Sequence, residues 1–238
     1  MTQTHPRVRR VVTSRQGGAS RPPYDSFNLS LTVGDDARAV RANRQRLAQA
    51  TQVPSDRFVW MATVHGTKVG YVDAPQHEPV AGVDGLVTTA TGLALVVLAA
   101  DCVPVLAADT SSGVVAVAHA GRRGAAGGIA DSLVAAMQEA GARPGSTDVL
   151  LGPAICGRCY EVPEEMQSEV ESALPGSASR TSAGTPGLDL RVGLRARLLA
   201  LGVRHVVADQ RCTYTDRTLF SFRRDGTTGR QAGVAWLT

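Results

Sequence analysis

Aromatic residues and long apolar runs are scarce in this chain of 238 residues. Phenylalanine, tryptophan and tyrosine make up 4% of the sequence, which leaves few rings for stacking nucleic-acid bases. The longest apolar run, residues 93–100, is too short to cross a bilayer and ends at Asp101. The basic segment 1–10 is not followed by the apolar core of a signal peptide. We therefore expect a cytoplasmic protein with no nucleic-acid partner and no membrane partner.

Cysteine is also sparse, and a reducing compartment argues against a disulfide framework. Cys156-Gly-Arg-Cys159 has the C-x-x-C form, which is typical of a redox pair or of half a zinc site. A zinc ribbon needs a second such pair, and Cys102 and Cys212 lie too far apart in sequence to form one. The spacing therefore argues against a structural zinc site at the C-x-x-C pair.

Lysine is almost absent, because Lys68 is the only one, and the net charge of +4 rests on arginine. Arginine binds phosphate and carboxylate groups through two parallel hydrogen bonds. Small anionic substrates are therefore one interpretation of this composition. The other is a genome whose codon usage favours arginine.

Short apolar segments alternate with only a few helical patterns. We predict helices over residues 35–51 (capped by Asp35 or Asp36), 127–140, 164–174 and 188–201, and loops over 16–30 and 175–187. Strands are predicted over residues 7–14, 58–63, 68–72, 86–89, 93–100, 103–107, 114–118, 148–151, 203–208 and 233–237. This order predicts an α/β (α+β) fold of mixed β-sheets flanked by helices, as a single domain over residues 1–238.

Three predicted strands run into a turn that carries a potential metal ligand, namely His65, Cys102 or His119. One thiolate and two imidazoles suit zinc, and a fourth coordination position would stay open, as in catalytic zinc sites. The alternative is that Cys102 is a small buried apolar residue and that both histidines are structural. The remaining histidines lack this setting: His5, His77 and His205.

Two segments rich in glycine and arginine are candidate anion sites. Residues 121–128 lead into a predicted helix whose N–H groups favour an anion, and Arg123 is placed to contact phosphate. The same kind of turn also occurs without a ligand. Residues 223–230 form the second segment, and a solvated turn with exposed charges is an equal interpretation of it.

An ordered set of motifs closely resembles the YfiH-like family over almost the whole chain. That family was first called polyphenol oxidase or laccase-domain and is now described as purine nucleoside phosphorylase. The motifs include Gly17-Gly-Ala-Ser20, Asn43-Arg44, Thr63-Val-His-Gly-Thr-Lys-Val69, Ala100-Asp-Cys-Val-Pro-Val105, His119-Ala-Gly-Arg-Arg-Gly124, Cys159-Tyr-Glu-Val162 and Phe220-Ser-Phe-Arg-Arg-Asp-Gly226. The set is specific, although no single motif is.

The resemblance implies an α/β fold of mixed sheets and a zinc ion held by His65, Cys102 and His119. It implies phosphorolysis of adenosine, inosine, guanosine and methylthioadenosine, together with adenosine deamination, by a monomer or weak homodimer. Cys102 and Asp101 are the candidate catalytic residues. The candidate substrate-binding residues are Arg123 and Arg44 for phosphate, and Ser20, Asn43, Asp84 and Cys159 for the nucleoside.

The sequence departs from the family pattern at two places. Arg122 replaces the tryptophan of the usual His-Ala-Gly-Trp-Arg-Gly motif, which removes a ring that could stack on a purine. Gly157 and Arg158 replace Pro-Cys before Cys159. The older laccase name also conflicts with the sequence, because multicopper oxidases need His-x-His pairs and none occurs among the five histidines.

Two other functions fit the same residues. A hydrolase that edits UDP-linked muramyl peptide precursors of peptidoglycan would keep the metal and change the substrate. A non-enzymatic metal-binding module would close the fourth coordination position and turn over neither substrate.

Overall fold

A computed structural model of the chain describes residues 7–238. Its strands are β1 (Val8–Val12), β2 (Phe58–Val59), β3 (Met61–Ala62), β4 (Val69–Tyr71), β5 (Val80–Ala81), β6 (Gly85–Thr88), β7 (Ala94–Ala99), β8 (Val103–Asp109), β9 (Val114–Ala120), β10 (Thr147–Leu151), β11 (Ala178–Arg180), β12 (Pro186–Leu188), β13 (His205–Ala208) and β14 (Gln231–Leu237). Its helices are α1 (Ala37–Thr51), α2 (Arg122–Ala126), α3 (Ile129–Glu139), α4 (Glu164–Ala173), α5 (Leu190–Ala200) and α6 (Phe222–Asp225).

Two mixed sheets form the centre of the fold. The larger has six strands in the order β13-β10-β8-β9-β6-β4, and the smaller has four in the order β1-β14-β7-β2. Antiparallel pairs occupy the middle of the larger sheet, while β13 and β4 join its edges in parallel. The predicted α/β class, with mixed sheets flanked by helices, is confirmed.

The two sheets pack face to face, and β9 lies in the middle of the packing. All seven residues of β9 are buried because the strand is covered on both faces. Val115 and Val117, with Leu106 of β8, pack against Leu95 of the smaller sheet, whereas Ala116 belongs to the cluster under the helices. Burial on both faces explains why these strands are continuous apolar runs rather than alternating ones.

Helices cover the outer faces of both sheets. Leu133 of α3 and Leu194 of α5 pack on the larger sheet, and Leu47 of α1 packs on the smaller one. Asp36 caps α1, since its carboxylate accepts the Arg38 N–H at 2.8 Å. Within residues 7–238, every helix falls short of the length and apolarity needed to cross a bilayer.

Several predicted boundaries of strands, loops and helices differ from those in the structure. The strand predicted over 58–63 divides at Trp60, since β2 pairs with β7 and β3 pairs with β5. The loop predicted over 175–187 contains the hairpin β11–β12. The helix predicted from residue 127 begins at Ile129, because Gly128 adopts a φ of 96° that a helix does not allow.

Candidate metal centre

Strand register brings the three predicted ligands together. Cys102 directly precedes β8, and β8 pairs antiparallel with β9 so that Pro104 lies opposite His119. β6 borders β9 on its other side and pairs with β4, which follows the loop of His65. His119 lies within β9, one residue before its end, rather than just after the strand as predicted.

The ligand atoms of His65, Cys102 and His119 all lie within 4.8 Å of one another. The two imidazole rings are nearly perpendicular, with ring centroids 4.7 Å apart. Gly121 leaves room for the group, because a Cβ there would lie 2.9 Å from His65 Cδ2 and 3.1 Å from Cys102 Sγ. Across residues 7–238, this group gains no fourth side-chain ligand.

Asp84 forms hydrogen bonds with two residues of this group, His65 and His119. Its carboxylate is fully buried and accepts a hydrogen bond from His119 Nδ1 at 3.0 Å, which leaves Nε2 as the ring nitrogen for a metal. The same carboxylate accepts backbone N–H groups from Val64, His65 and Gly66 at 3.1, 3.0 and 2.7 Å. Both oxygens of Asp84 are thus engaged away from solvent, and its contact with a nucleoside stays a prediction.

The electrostatics of the group favour a thiolate. Burial disfavours the charged form of Cys102, but hydrogen bonds and positive charge from His119 and His65 outweigh it and lower its pKa to about 6. Burial also opposes the charged form of His119, yet Asp84 and Cys102 raise its pKa to about 9. A metal ligand must be deprotonated, so the thiol is prepared for a cation, whereas the His119 ring has to release a proton when a cation binds.

The donor set therefore fits a metal of borderline softness. One thiolate and two imidazoles are the donors that zinc and related divalent ions prefer. The Asp84–His119 pair has the carboxylate–histidine arrangement that fixes ring orientation in metal sites. With three side-chain ligands, one coordination position is left for water or substrate.

A cavity of about 350 Å³ lies beside Cys102. Asp101 and Cys102 form one part of its wall, and Arg122 and Arg223 add two guanidinium groups. This volume lies in the range of small-molecule sites.

Two aromatic rings complete the cavity wall, from Tyr160 and from Phe222, which is 59% exposed at the surface. The Arg223 guanidinium lies 5.0 Å from the Tyr160 ring centroid. Burial raises the pKa of Tyr160 against the opposing charge of Arg122, so the phenol keeps its proton at neutral pH.

Asp101 has an unusual backbone and a fixed side chain. Its φ is 93°, which L-residues rarely adopt. Its carboxylate accepts the Thr213 hydroxyl at 2.5 Å and the Arg223 backbone N–H at 2.6 Å. Asp101 is thus held in the cavity wall, next to the candidate metal ligand Cys102.

Other predicted site residues lie elsewhere. Arg123 is exposed, and Arg122 rather than Arg123 lines the cavity. Arg44 stacks 3.6 Å over the Trp60 ring and lines a separate surface cavity with His77. The five-residue helix α2 places Arg122, and not Arg123, in the cavity wall, and the phosphate contacts of Arg123 and Arg44 stay predictions.

Ser20 and Asn43 are buried and are hydrogen-bonded to each other. The Asn43 side chain donates to the Ser20 hydroxyl at 3.0 Å and to the Asn28 carbonyl at 2.8 Å, and its oxygen accepts the Ala19 N–H at 2.7 Å. Asn43 is fully buried. These hydrogen bonds connect the segment before α1 to that helix, and the substrate contacts of both residues stay predictions.

Cys159 belongs to a second cluster rather than to the cavity wall. Its thiol lies with those of Cys156 and Cys212, and all three sulfurs are within 4.8 Å of one another. The sequence had suggested that the C-x-x-C pair lacked partners, because Cys212 is 53 positions beyond Cys159. Of the other histidines, His205 starts β13 on the surface, and His5 lies outside the described residues.

Sequence reasoning missed Arg122, Tyr160, Phe222 and Arg223 as cavity residues. Three of them stood inside the motifs that carried the resemblance, and Arg122 marked a departure from one of them. The segment 223–230 is only partly the solvated turn that was considered, since Arg224 donates to the carbonyls of Thr213 and Leu219.

The fold and the site together define a mixed α/β protein with a Cys/His/His group beside a cavity. The chain belongs to the family described as multi-copper polyphenol oxidoreductase laccase, whose model matches residues 9–238. It is 52% identical over 231 residues to a Mycobacterium bovis protein named purine nucleoside phosphorylase, covering 97% of this chain and 92% of the relative. The resemblance stated from the motifs is confirmed.

Solved structures agree with this assignment. YlmD from Geobacillus stearothermophilus superposes with a TM-score of 0.90 at 38% identity, covering 97% of this chain and 92% of that one. The Bacillus licheniformis hypothetical protein YfiH also gives a TM-score of 0.90, at 30% identity, with 97% and 93% covered.

Proposed function

We propose that the chain is a zinc-dependent purine nucleoside phosphorylase. The substrates would be adenosine, inosine, guanosine and methylthioadenosine, each with phosphate. The observation that carries the proposal is the cavity beside Cys102, whose wall combines two guanidinium groups with two aromatic rings. The name of the 52% identical relative supports the same reaction.

In this reaction a phosphate oxygen forms a bond to C1′ of the ribose while the bond from C1′ to the purine nitrogen breaks. The electron pair of that bond leaves with the purine, which takes up a proton. Arg122 and Arg223 would hold the phosphate, since guanidinium groups match its oxygens and keep their charge at neutral pH.

Tyr160 and Phe222 would bind the purine between apolar surfaces and so replace the ring lost at position 122. The Tyr160 phenol, which stays protonated, can donate a hydrogen bond to the departing base. Asp101 carries the only carboxylate among the described residues that line the cavity. Its negative charge would orient the ribose hydroxyls and stabilise the positive charge that develops on the sugar.

His65, Cys102 and His119 would hold the zinc, with Asp84 fixing the His119 ring. When bound there, zinc would supply a Lewis acid at the edge of the cavity.

The test is turnover of adenosine and inosine by the zinc-loaded protein, with and without phosphate. We expect free purine and ribose 1-phosphate only when phosphate is present. Arg122→Ala should raise the KM for phosphate about 10- to 100-fold, because a hydrogen bond to a charged group contributes about 1.5–3 kcal/mol. Arg123→Ala is the matched control, since Arg123 is exposed and should leave the KM unchanged.

Other outcomes would refute the proposal in distinct ways. Ammonia release that needs no phosphate would indicate adenosine deamination alone. Consumption of a UDP-muramyl peptide precursor, with no nucleoside cleavage, would favour the peptidoglycan-editing hydrolase. Tight zinc binding without turnover of either substrate would indicate a metal-binding module.

A further inference from the structure

Three of the four cysteines form a cluster apart from the Cys/His/His group. Cys156, Cys159 and Cys212 place their sulfurs within 4.8 Å of one another, and none of them is a ligand of the first group. All three are free thiols. Cys212 is 8% exposed, while Cys156 and Cys159 are half-buried and thus accessible to a small ion.

The backbone holds this cluster in place. Both the Cys159 and the Tyr160 N–H groups donate to the Cys156 carbonyl at 2.9 Å, which folds the C-x-x-C segment into a tight turn. Cys212 is attached to the same segment, because it bridges to Ala154 in parallel and its sulfur accepts the Cys156 N–H at 3.4 Å. A backbone N–H directed at a sulfur stabilises a thiolate, as in thiolate metal sites.

We propose that Cys156, Cys159 and Cys212 form a second metal site, which binds one soft d¹⁰ cation such as Zn²⁺ or Cu⁺. Thiolate ligands select these cations. With metal–sulfur distances of about 2.3 Å, three sulfurs around one cation lie roughly 4 Å apart, so small side-chain rotations suffice here.

The three thiols also influence one another's pKa. Burial and the neighbouring thiols raise the pKa of Cys159 to about 12. Burial opposes the charged form of Cys212 as well, but N–H groups of Cys156, Thr215 and Tyr214 lower its pKa. A cation would replace the protons and offset the repulsion among the three sulfurs, whereas a disulfide would use only two of them.

The site lies directly behind the cavity wall. Ile155, next to Cys156, lines the cavity, and its N–H donates to the Asp101 carbonyl at 3.1 Å. Thr213, next to Cys212, holds the Asp101 carboxylate. A cation bound to the three thiolates would therefore cross-link the two segments that position Asp101. The inference does not depend on which reaction the cavity performs.

The test uses Cd²⁺ as a probe, because cadmium–thiolate bonds give an ultraviolet charge-transfer band. The full chain is reduced, stripped with a chelator and titrated. The wild-type protein should take up two cations. The Cys102→Ser protein should bind one cation and show the absorbance of three cadmium–thiolate bonds. The Cys156→Ser/Cys159→Ser protein should bind one cation and show the absorbance of a single cadmium–thiolate bond.

Failure of the Cys102→Ser protein to bind Cd²⁺ would overturn the proposal. So would full two-cation binding by the Cys156→Ser/Cys159→Ser protein. Circular dichroism of each variant shows whether it is folded, and a parallel titration with Zn²⁺ and Cu⁺ shows which of the two binds more tightly.

A second measurement needs no variant. Alkylation of the wild-type chain, mapped by peptide mass spectrometry, should modify the half-buried Cys156 without metal and lose that labelling once the cation is added. Unchanged labelling would contradict the site. A thiol count of the denatured, unreduced protein that falls two short of four would show a disulfide instead and overturn the proposal.

Discussion

Asp84 is the residue whose replacement tests most directly how the metal ligands are held. One carboxylate oxygen accepts the Val64 and Gly66 N–H groups, and the other accepts the His65 N–H and His119 Nδ1. Asp84→Asn keeps the shape but turns one oxygen into an NH₂ group. In either orientation of the amide, that NH₂ faces two donors in a fully buried site.

The size of the effect follows from these contacts. Two hydrogen bonds to a charged acceptor are lost at about 1.5–3 kcal/mol each, so the free energy of unfolding of the metal-free protein should fall by about 3–6 kcal/mol. Metal affinity should fall about 10- to 100-fold, which is the usual effect of removing a carboxylate behind a histidine ligand. Urea unfolding measures the first quantity, and competition with a chromophoric chelator measures the second.

Asp109→Asn is the matched control. Asp109 is also fully buried and accepts N–H groups of Ser111 and Arg143 at 2.9 Å, but it lies at the far end of β8 from Cys102. This variant should lose comparable stability and keep wild-type metal affinity. Equal metal affinity in the Asp84→Asn and wild-type proteins would refute the role assigned to Asp84.

Two further predictions concern a glycine and an acid-sensitive carboxylate. Gly121→Ala should weaken zinc binding in the same chelator competition, because its Cβ would press on His65 and Cys102, whereas Gly145→Ala, with open space around it, should not. Burial opposes ionisation of Asp109, but its hydrogen bonds from Ser111, Arg143 and Ser146 lower its pKa well below the usual value. Because its folded pKa lies below its unfolded pKa, it stabilises the fold at neutral pH, and this stability disappears as pH falls below about 4. Urea unfolding should therefore show a smaller loss between pH 7 and pH 3 for Asp109→Asn than for wild type, and equal losses would contradict this account.

The strands, and two of the three residues that form the Cys/His/His group, were predictable because their signals are local. β7, β8 and β9 are apolar runs, Cys102 lies between β7 and β8, and His119 lies near the end of β9. The alternation of strands and few helices also indicated a mixed sheet. These features depend on neighbouring residues, so one sequence suffices to find them.

Residues that act across the chain were not predictable in the same way. Asp84 meets His119 over 35 positions, and Cys212 meets Cys156 over 56. Nothing in the local pattern distinguishes Asp84 from any other aspartate before a strand. The choice between Arg122 and Arg123 depends on the direction of the short helix α2 relative to the sheet, which neighbouring residues do not specify.

Backbone strain is concentrated at the site. Within residues 7–238, three non-glycine residues have positive φ, and Gln52 is an ordinary helix end. The other two are His65, at 59°, and Asp101, at 93°, one a candidate ligand and one next to the candidate ligand Cys102. Each such residue costs about 1–3 kcal/mol, so it persists only where its surroundings fix it.

Hydrogen bonds fix both of these residues. Asp84 accepts the N–H of His65 itself and of both its neighbours, and Thr213 with the Arg223 N–H holds Asp101. A strained backbone relaxes when its contacts are removed. These hydrogen bonds hold the backbone of His65 and of Asp101, which precedes Cys102, and so keep the side chains of His65 and Cys102 close together. The position of the strain thus argues that this edge of the sheet was selected for ligand geometry rather than for stability, since an unstrained turn would stabilise the fold more.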